Sequence, residues 1–361
     1  MKRISYSILV LLLVGTSAMA GNPKTRQNYV VGFYNLENLF DTYDDPVKRD
    51  DDFLPEGKNK WTQTKYEKKL HNMATVIADM AKKNGRFHTI LGVSEIEIRL
   101  VLEDLVSQPE IAAANYQIVH YDGPDRRGID CALLYKPDQF DYIESESIPY
   151  NFENSSIDFI MPKKEQGYFK TRDVLMVRGK IDGEDVAVYV AHLPSRVGDK
   201  KGSFQLRARG AEIIYNHSQQ LMKKFPGIKI MVMGDMNDDA TDISMSEFLH
   251  GKETIAEVGE NDFFCPFTSM LKAGYGTLCY RGVWSIFDLI LVNSNLVDGS
   301  EGLQIQKFGK GKKAFYGQIF KKPYMTTQKG QYKGYPFRTF SRGAFVGGYS
   351  DHYPTYIVIG K

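Results

Sequence analysis

Cysteine is scarce. Three occur in 361 residues, at 131, 265 and 279, and none has the CxxC or Cys/His spacing of a zinc site. That excludes a disulfide-stapled scaffold and a cysteine-type structural zinc. Cys131 precedes the apolar run Ala132-Leu133-Leu134 and reads as a buried thiol. Cys265 and Cys279 flank a short loop and can pair in an oxidising compartment, which spacing alone leaves open. Long hydrophobic runs are missing too. Beyond residue 20 no stretch is apolar over the length a bilayer requires. Internal repeats and linker-like tracts are absent, so residues 21–361 are expected to form one domain. Finally, Asp and Glu vanish between Gly302 and Ser350, where ten Lys or Arg fall. The whole chain carries only +2. The remainder is therefore acidic, and the molecule has a directional field able to steer an anion.

What the chain does have begins with an export signal. Lys2 and Arg3 form a basic start, Ile8 to Val14 an apolar core, and Ala18-Met19-Ala20 a small-x-small cleavage site. Residues 1–20 are expected to be a signal peptide, and the protein to be exported, periplasmic or secreted. No cysteine follows the apolar core, so a lipid anchor there has no support. Removing Lys2 and Arg3 brings the charge to zero, 44 basic against 44 acidic.

The rest alternates strands and helices. Tyr29 to Asn35 reads as a strand ending in Asn35-Leu36-Glu37-Asn38. Asp41 to Glu56, with seven acids, reads as a solvated loop. Trp61 to Lys83 is expected to be helical, with Tyr66, Leu70, Met73, Ile77 and Met80 inward. His88 to Glu95 is a buried strand that delivers Glu95 at its end, where no structural role for a carboxylate is evident. Tyr116 to His120 and Asp130 to Tyr135 fit an antiparallel pair. Val174 to Gly179 and Val186 to Ala191 are strands, and His192 ends the second. Ser203 to Lys224 is a helix with Leu206, Ile213, Ile214 and Leu221 inward. Lys229 to Met233 is a strand leading to Gly234-Asp235-Met236-Asn237. Val283 to Val292 is another, with Asp288 inside an apolar run. A charge there is costly unless paired, so Asp288 should meet a histidine or a metal. The acid-free segment interleaves its cations with Phe308, Phe315, Tyr332, Tyr335 and Phe337. That suits nucleic-acid strands or lipid headgroups; a pair of surface strands with solvated lysines explains it equally.

Taken together, Glu95, Asp235, Asp351 and Asp288 supply acids, and Asn35, Asn237, His192 and His352 supply polar partners. Carboxylate and amide oxygens suit Mg²⁺ or Mn²⁺ rather than zinc. Histidines beside carboxylates suit proton transfer. A phosphoryl centre needs a metal, a base and an acid, and this set offers all three.

In this order the residues resemble the endonuclease/exonuclease/phosphatase superfamily. The carriers are Asn35, Ser-Glu-Ile-Glu around Glu95, His192, Gly-Asp-Met-Asn at 234–237, Asp288, and Ser-Asp-His-Tyr-Pro at 350–354. The resemblance spans Val30 to Gly360. It implies an α/β fold, a four-layer sandwich of two mixed β-sheets packed face to face with helices outside. It implies Glu95 as principal metal ligand, with Asp351 touching the metal and Asn35 beside it. By the same resemblance Asp235 and Asn237 position the attacking water or the phosphate, and His352, oriented by Asp288, acts on the scissile phosphate. His192 matches the deoxyribonuclease and sphingomyelinase pattern, and Asp130 is the candidate carboxylate to pair with it. Arg172 resembles a phosphate-binding arginine. Two positions depart from the family pattern: Ser94 stands where Gln is usual, and Met236 where Phe is usual. Both bear on subfamily rather than chemistry. The implied activity is that of a Mg²⁺-dependent phosphodiesterase, first an endonuclease on DNA or RNA. Second comes a phosphoesterase on a sphingolipid, an inositol phosphate or another small phosphoester. No obligate protein partner is implied. A non-enzymatic binding protein on the same scaffold is the third reading, and the intact acid and histidine set opposes it.

Overall fold

Alternation along the first strand lays out the architecture. The computed structural model describes residues 27–196, 202–311 and 314–361; the expected signal peptide, residues 1–20, lies outside them. In β1 (Asn28–Leu39), Tyr29, Val31 and Phe33 enter one buried cluster, while Val30, Tyr34 and Leu36 enter a second. Successive side chains of a strand point to opposite faces, so β1 is covered on both sides. It is followed by α1 (Gln63–Asn84), β2 (Ile90–Ile96), α2 (Arg99–Val106), β3 (Gln117–His120), β4 (Asp130–Tyr135) and β5 (Asp141–Ile148). Then come α3 (Lys163–Gln166), β6 (Val174–Ile181), β7 (Glu184–His192), α4 (Ser203–Lys224) and β8 (Lys229–Asp235). The last third holds β9 (Gly251–Lys252), β10 (Phe263–Phe264), α5 (Thr268–Lys272), β11 (Leu278–Tyr280), β12 (Val283–Ser285) and β13 (Asp288–Asn293). Short strands follow: β14 (Gln304–Ile305), β15 (Gln318–Ile319), β16 (Phe340–Ser341) and β17 (Ala344–Phe345), then the long β18 (Thr355–Gly360).

Two mixed seven-stranded sheets result. One runs β14-β18-β1-β2-β4-β3, with β15 also on β18; the other runs β5-β6-β7-β8-β13-β10-β9. They pack face to face through side chains such as Val31, Phe33 and Leu133 against Val188, Met233 and Leu289. The approach is close: a Cβ at Gly92 of β2 would sit 2.5 Å from Met233 Sδ of β8. α1 and α2 cover the outer face of the first sheet, and α4 lies against the second through Ala211, Ile214 and Leu221. This is the expected α/β sandwich. Among the described residues no helix is long and apolar enough to cross a membrane.

Strand direction decides what gathers at one rim. β1 and β2 are parallel, as are β7 and β8. Their C-terminal ends bring Asn35, Glu95, His192 and Asp235 to the same edge. β4, β13 and β18 run antiparallel to those neighbours, so their starts reach that edge too.

Two expectations need correction. Val283 to Val292 is not one strand. It breaks at Ile286-Phe287, because Ile286 N donates to Asp239 Oδ1 at 2.7 Å and Met236 N to Phe287 O at 2.8 Å. The chain is thereby drawn out of the ladder, and Asp288 starts a strand instead of sitting within one. In α4, Leu206 is only half-buried, while Arg207 and Arg209 are buried. Each meets a carboxylate, Asp238 at 2.7 Å and Glu212 at 2.6 Å. Cys265 and Cys279 are both free thiols.

Candidate functional site

β2 delivers its carboxylate through a bulge. Pairing with β4 shifts between Ser94 and Ile96, and Glu95 takes φ +60°, a conformation non-glycine residues seldom adopt. The extra residue turns the side chain out of the ladder and into the rim. Glu37, Asn38 and Asn237 at the same edge also have positive φ. Such strain persists where surrounding structure imposes it and clusters at functional sites. On β8, Gly234 leaves no room for a side chain: a Cβ would lie 1.9 Å from Ala191 O. That close approach sets His192 beside Asp235, the two being register partners across β7 and β8. Asp288 is the register partner of Asp235 on the other side.

Asn35 links the two sheets. Its Nδ2 donates to Asp235 Oδ2 at 3.0 Å and to Glu95 Oε1 at 3.3 Å. Asn38 N holds the other Glu95 oxygen at 3.0 Å. His192 Nε2 lies 3.6 Å from Asp235 Oδ2 and 3.9 Å from Glu95 Oε1. His352 Nδ1 donates to Asp288 Oδ2 at 2.8 Å, leaving Nε2 facing Asp235 Oδ2 at 3.8 Å. Ser350 Oγ, which donates to Asn35 O, also accepts from His352 N. Asn237 N donates to Asp235 Oδ1 at 3.0 Å, and its side chain to Leu193 O.

Burial opposes charge on both rings, and their charged neighbours set them apart. His192 is held well below its ordinary pKa by burial, reinforced by Arg172, Arg127 and His352. Burial also opposes charge on His352, but Asp288 and Asp235 outweigh it and hold the ring well above the ordinary value. Burial raises the Asp235 carboxyl, helped by Asp288 and Glu95. Glu95, His192 and Asp235 each offer a ligand atom within 4.8 Å of the others. Glu95 and Asp235 bring two carboxylates close together, and a divalent cation would offset their mutual repulsion. The donor set therefore fits one, with Glu95 and Asp235 as oxygen ligands.

Residues 30–361 match the profile of the Endonuclease/Exonuclease/phosphatase family. The chain belongs to this family. Members are metal-dependent phosphoesterases, and so is this enzyme. Solved structures share the fold at low identity. A humanised D. rerio TDP2 is 13% identical over 92% of this chain and 99% of that one, TM-score 0.52. A Bacteroides thetaiotaomicron mannosyl-6-phosphatase is 17% identical over 92% and 99%, TM-score 0.52. The human Nocturnin catalytic domain with bound sulfate is 15% identical over 93% and 98%, TM-score 0.51. A comparison with curated proteins finds no match.

Within this family member, the rim gathers Asn35, Glu95, His192, Asp235, Asn237, Asp288 and His352. Three sequence expectations are placed elsewhere. Asp130 does not pair with His192. Its Oδ2 lies 3.5 Å from His120 Nε2, and both its oxygens accept from Gly123 N. The reason is register, since His120 on β3 pairs across to Ala132 of β4, next but one to Asp130. Arg172 is buried beneath the site instead of facing it. Its guanidinium donates to His192 O, Leu193 O and Asp125 Oδ2, so it positions the His192 loop. Asp351 reaches the rim but stands outside the Glu95 group, its Oδ2 accepting from Arg338 at 2.7 Å.

Arg338 and Glu37 were not foreseen. Glu37 accepts from Arg338 Nε at 3.1 Å and Thr339 N at 2.7 Å, with Lys69 Nζ at 3.8 Å. Lys69 is buried inside α1 and donates to Thr339 Oγ1 and Tyr349 O, both at 2.7 Å. Asn72, one turn on, donates to the carbonyls of Gly347 and Gly348. Those anchors hold the acid-free segment against α1, where Phe340 and Phe345 pack on Trp61. The sequence signal was the Glu two residues after Asn35 and two polar residues inside the inward stripe of α1.

Proposed function

We propose that this enzyme is an exported, Mg²⁺-dependent phosphodiesterase with one catalytic domain, residues 21–361, behind a cleaved leader. It hydrolyses phosphoester bonds by in-line attack of water, and its substrate is a nucleic-acid strand. The observation that carries the chemistry is the His352–Asp288 pair aimed at Asp235. Asp288 orients the ring and keeps it charged, so Nε2–H can donate to the scissile phosphate or to the departing oxygen. Asp235, fixed by Asn35 and the Asn237 amide, orients the attacking water and accepts its proton. Neutral His192 is available for a phosphate oxygen on the opposite flank. Glu95, with Asp235, would hold a divalent cation such as Mg²⁺, which would supply charge to balance the phosphoryl oxygens.

Support for a nucleic-acid strand comes from the acid-free segment. Its Phe340 and Phe345 are packed inward on Trp61, which leaves its lysines and arginines among the groups it offers a ligand. Residues of this segment wall a cavity of about 470 Å³ that also touches Asp351. A cavity of that size favours a second reading, a compact soluble phosphoester. The test is hydrolysis of plasmid DNA, an inositol polyphosphate, sphingomyelin and bis(p-nitrophenyl) phosphate with and without Mg²⁺. His352→Ala is the control. Mg²⁺-dependent DNA cleavage lost in the variant is the expected result. Turnover of the inositol polyphosphate with DNA intact selects the second reading, and turnover of nothing overturns both.

A further inference from the structure

The cavity beside Asp351 lies between the β11–β12 hairpin and the loops around β16 and β17. Its chemistry is uneven in a useful way. Tyr280, Tyr332 and Tyr335 line it with Lys329, Arg338 and Arg342. Its one acid, Asp351, is already neutralised by Arg338 at 2.7 Å. The lining is thus cationic. Two of the tyrosines do not serve the core: Tyr280 is 68% and Tyr332 40% exposed. The rings of Tyr332 and Tyr335 lie 5.8 Å apart and tilted, and the Arg342 guanidinium sits over Tyr332 at 5.8 Å. Exposed aromatic rings beside cations suit a planar ring attached to an anion.

The cavity is also contiguous with the catalytic rim. Asp351 belongs to both, and its Oδ1 is 4.0 Å from His352 Nε2. A phosphate held at His352 therefore has its neighbouring substituent at the cavity mouth. A volume of about 470 Å³ falls within the range of small-ligand sites and accepts one nucleotide, not a stacked duplex.

From this geometry we infer that the cavity is a subsite for the single nucleotide next to the scissile phosphate. The base leaves its stack and lies on the tyrosines, and the flanking phosphate meets Arg342 or Lys329. This deepens the phosphodiesterase reading and rests on it for the identity of the neighbouring phosphate. The consequence is a preference for single strands and frayed ends, because a base inside a duplex must first be unpaired and unstacked.

Cys279 provides a readout that needs no catalysis. It lines the cavity, whereas Cys131 and Cys265 are buried, so a maleimide reports on Cys279 alone. Adenosine 5′-monophosphate at about ten times its Kd should slow the labelling about tenfold, and inorganic phosphate at the same concentration should not. Tyr332→Ala and Arg342→Ala should each abolish that protection. Labelling unaffected by the nucleotide overturns the subsite. In parallel, one oligonucleotide is compared as single strand and as blunt duplex. The single strand should be preferred, and Tyr332→Ala should raise its KM about tenfold while kcat stays within about twofold. Equal rates on both forms, or an unchanged KM, also overturn the subsite. Absence of turnover on every phosphoester overturns the function proposed above instead, and the Cys279 experiment still decides the subsite.

Discussion

At the scale of single residues, the site depends on two buried histidines whose surroundings push their pKa values in opposite directions. His352 has Asp288 on one ring nitrogen and Asp235 before the other. His192 has carboxylates only at 3.6 Å or beyond, with Arg172 under its backbone. Asp288→Asn replaces the carboxylate by an amide of the same shape and removes the charge that sustains the imidazolium. It should lower kcat by about 10²–10⁴ with little change in the urea midpoint. Unaltered turnover on bis(p-nitrophenyl) phosphate would remove His352 from the mechanism. Glu95 tests the metal. At about a hundredfold excess over its Kd, Mg²⁺ should stabilise the fold by about 2.7 kcal/mol, read as a rise in Tm. Glu95→Gln should lose most of that rise while keeping its amide contact with Asn35. A full shift in the variant would place the cation elsewhere.

At the scale of elements, α1 does more than cover a sheet. Its inward stripe was legible from Tyr66, Leu70, Met73, Ile77 and Met80, all buried. The neighbouring Lys69 was not, because helical periodicity marks which residues face inward and says nothing about a buried cation's partner 270 positions away. Lys69→Met keeps the volume and removes the ammonium from Glu37, Thr339 and Tyr349. It should cost about 3 kcal/mol in urea denaturation and loosen the segment that walls the cavity. A neutral change would show that Asn72, Glu37 and the packing of Phe340 and Phe345 on Trp61 hold the segment without the ammonium. The same limit explains the other readings. Glu95, His192 and Asp235 are visible because a polar group closing an apolar run is a local signal, and His352 because an Asp-His pair stands in the loop just before the last strand. Asp130, the candidate partner of His192, meets His120 instead, since partner choice follows strand register, a non-local property. β5 was not seen at all: as the outermost strand of its sheet it buries little, so its residues carry no alternation to read. The break at Ile286 was hidden for a like reason, because Asp239, which causes it, lies 47 residues upstream.

At the scale of the whole molecule, charge is arranged rather than merely balanced. Ten cations and no acids occupy residues 302–350, and Arg338, Arg342 and Lys329 from that stretch line the cavity beside Asp351. The opposite charge includes the seven acids of residues 41–56 and the carboxylates at the rim. A polyanion approaching such a surface is attracted over many ångströms to one side of the site, whereas a singly charged phosphoester is hardly affected. Screening separates the two. Between about 0.05 M and 0.3 M salt the Debye length shrinks from about 14 Å to about 6 Å. Over that range kcat/KM for a single-stranded oligonucleotide should fall several-fold through KM, with kcat nearly constant. The same salt change should leave kcat/KM for bis(p-nitrophenyl) phosphate within about twofold. If both substrates respond alike, salt acts on the catalytic rim itself and the segment does not steer. If neither responds, its lysines are solvated surface, as their composition alone also allowed. Where the oligonucleotide alone responds, replacing Lys329 and Lys333 together by Ser should reproduce the high-salt behaviour at low salt, because both are exposed and their removal touches no buried contact.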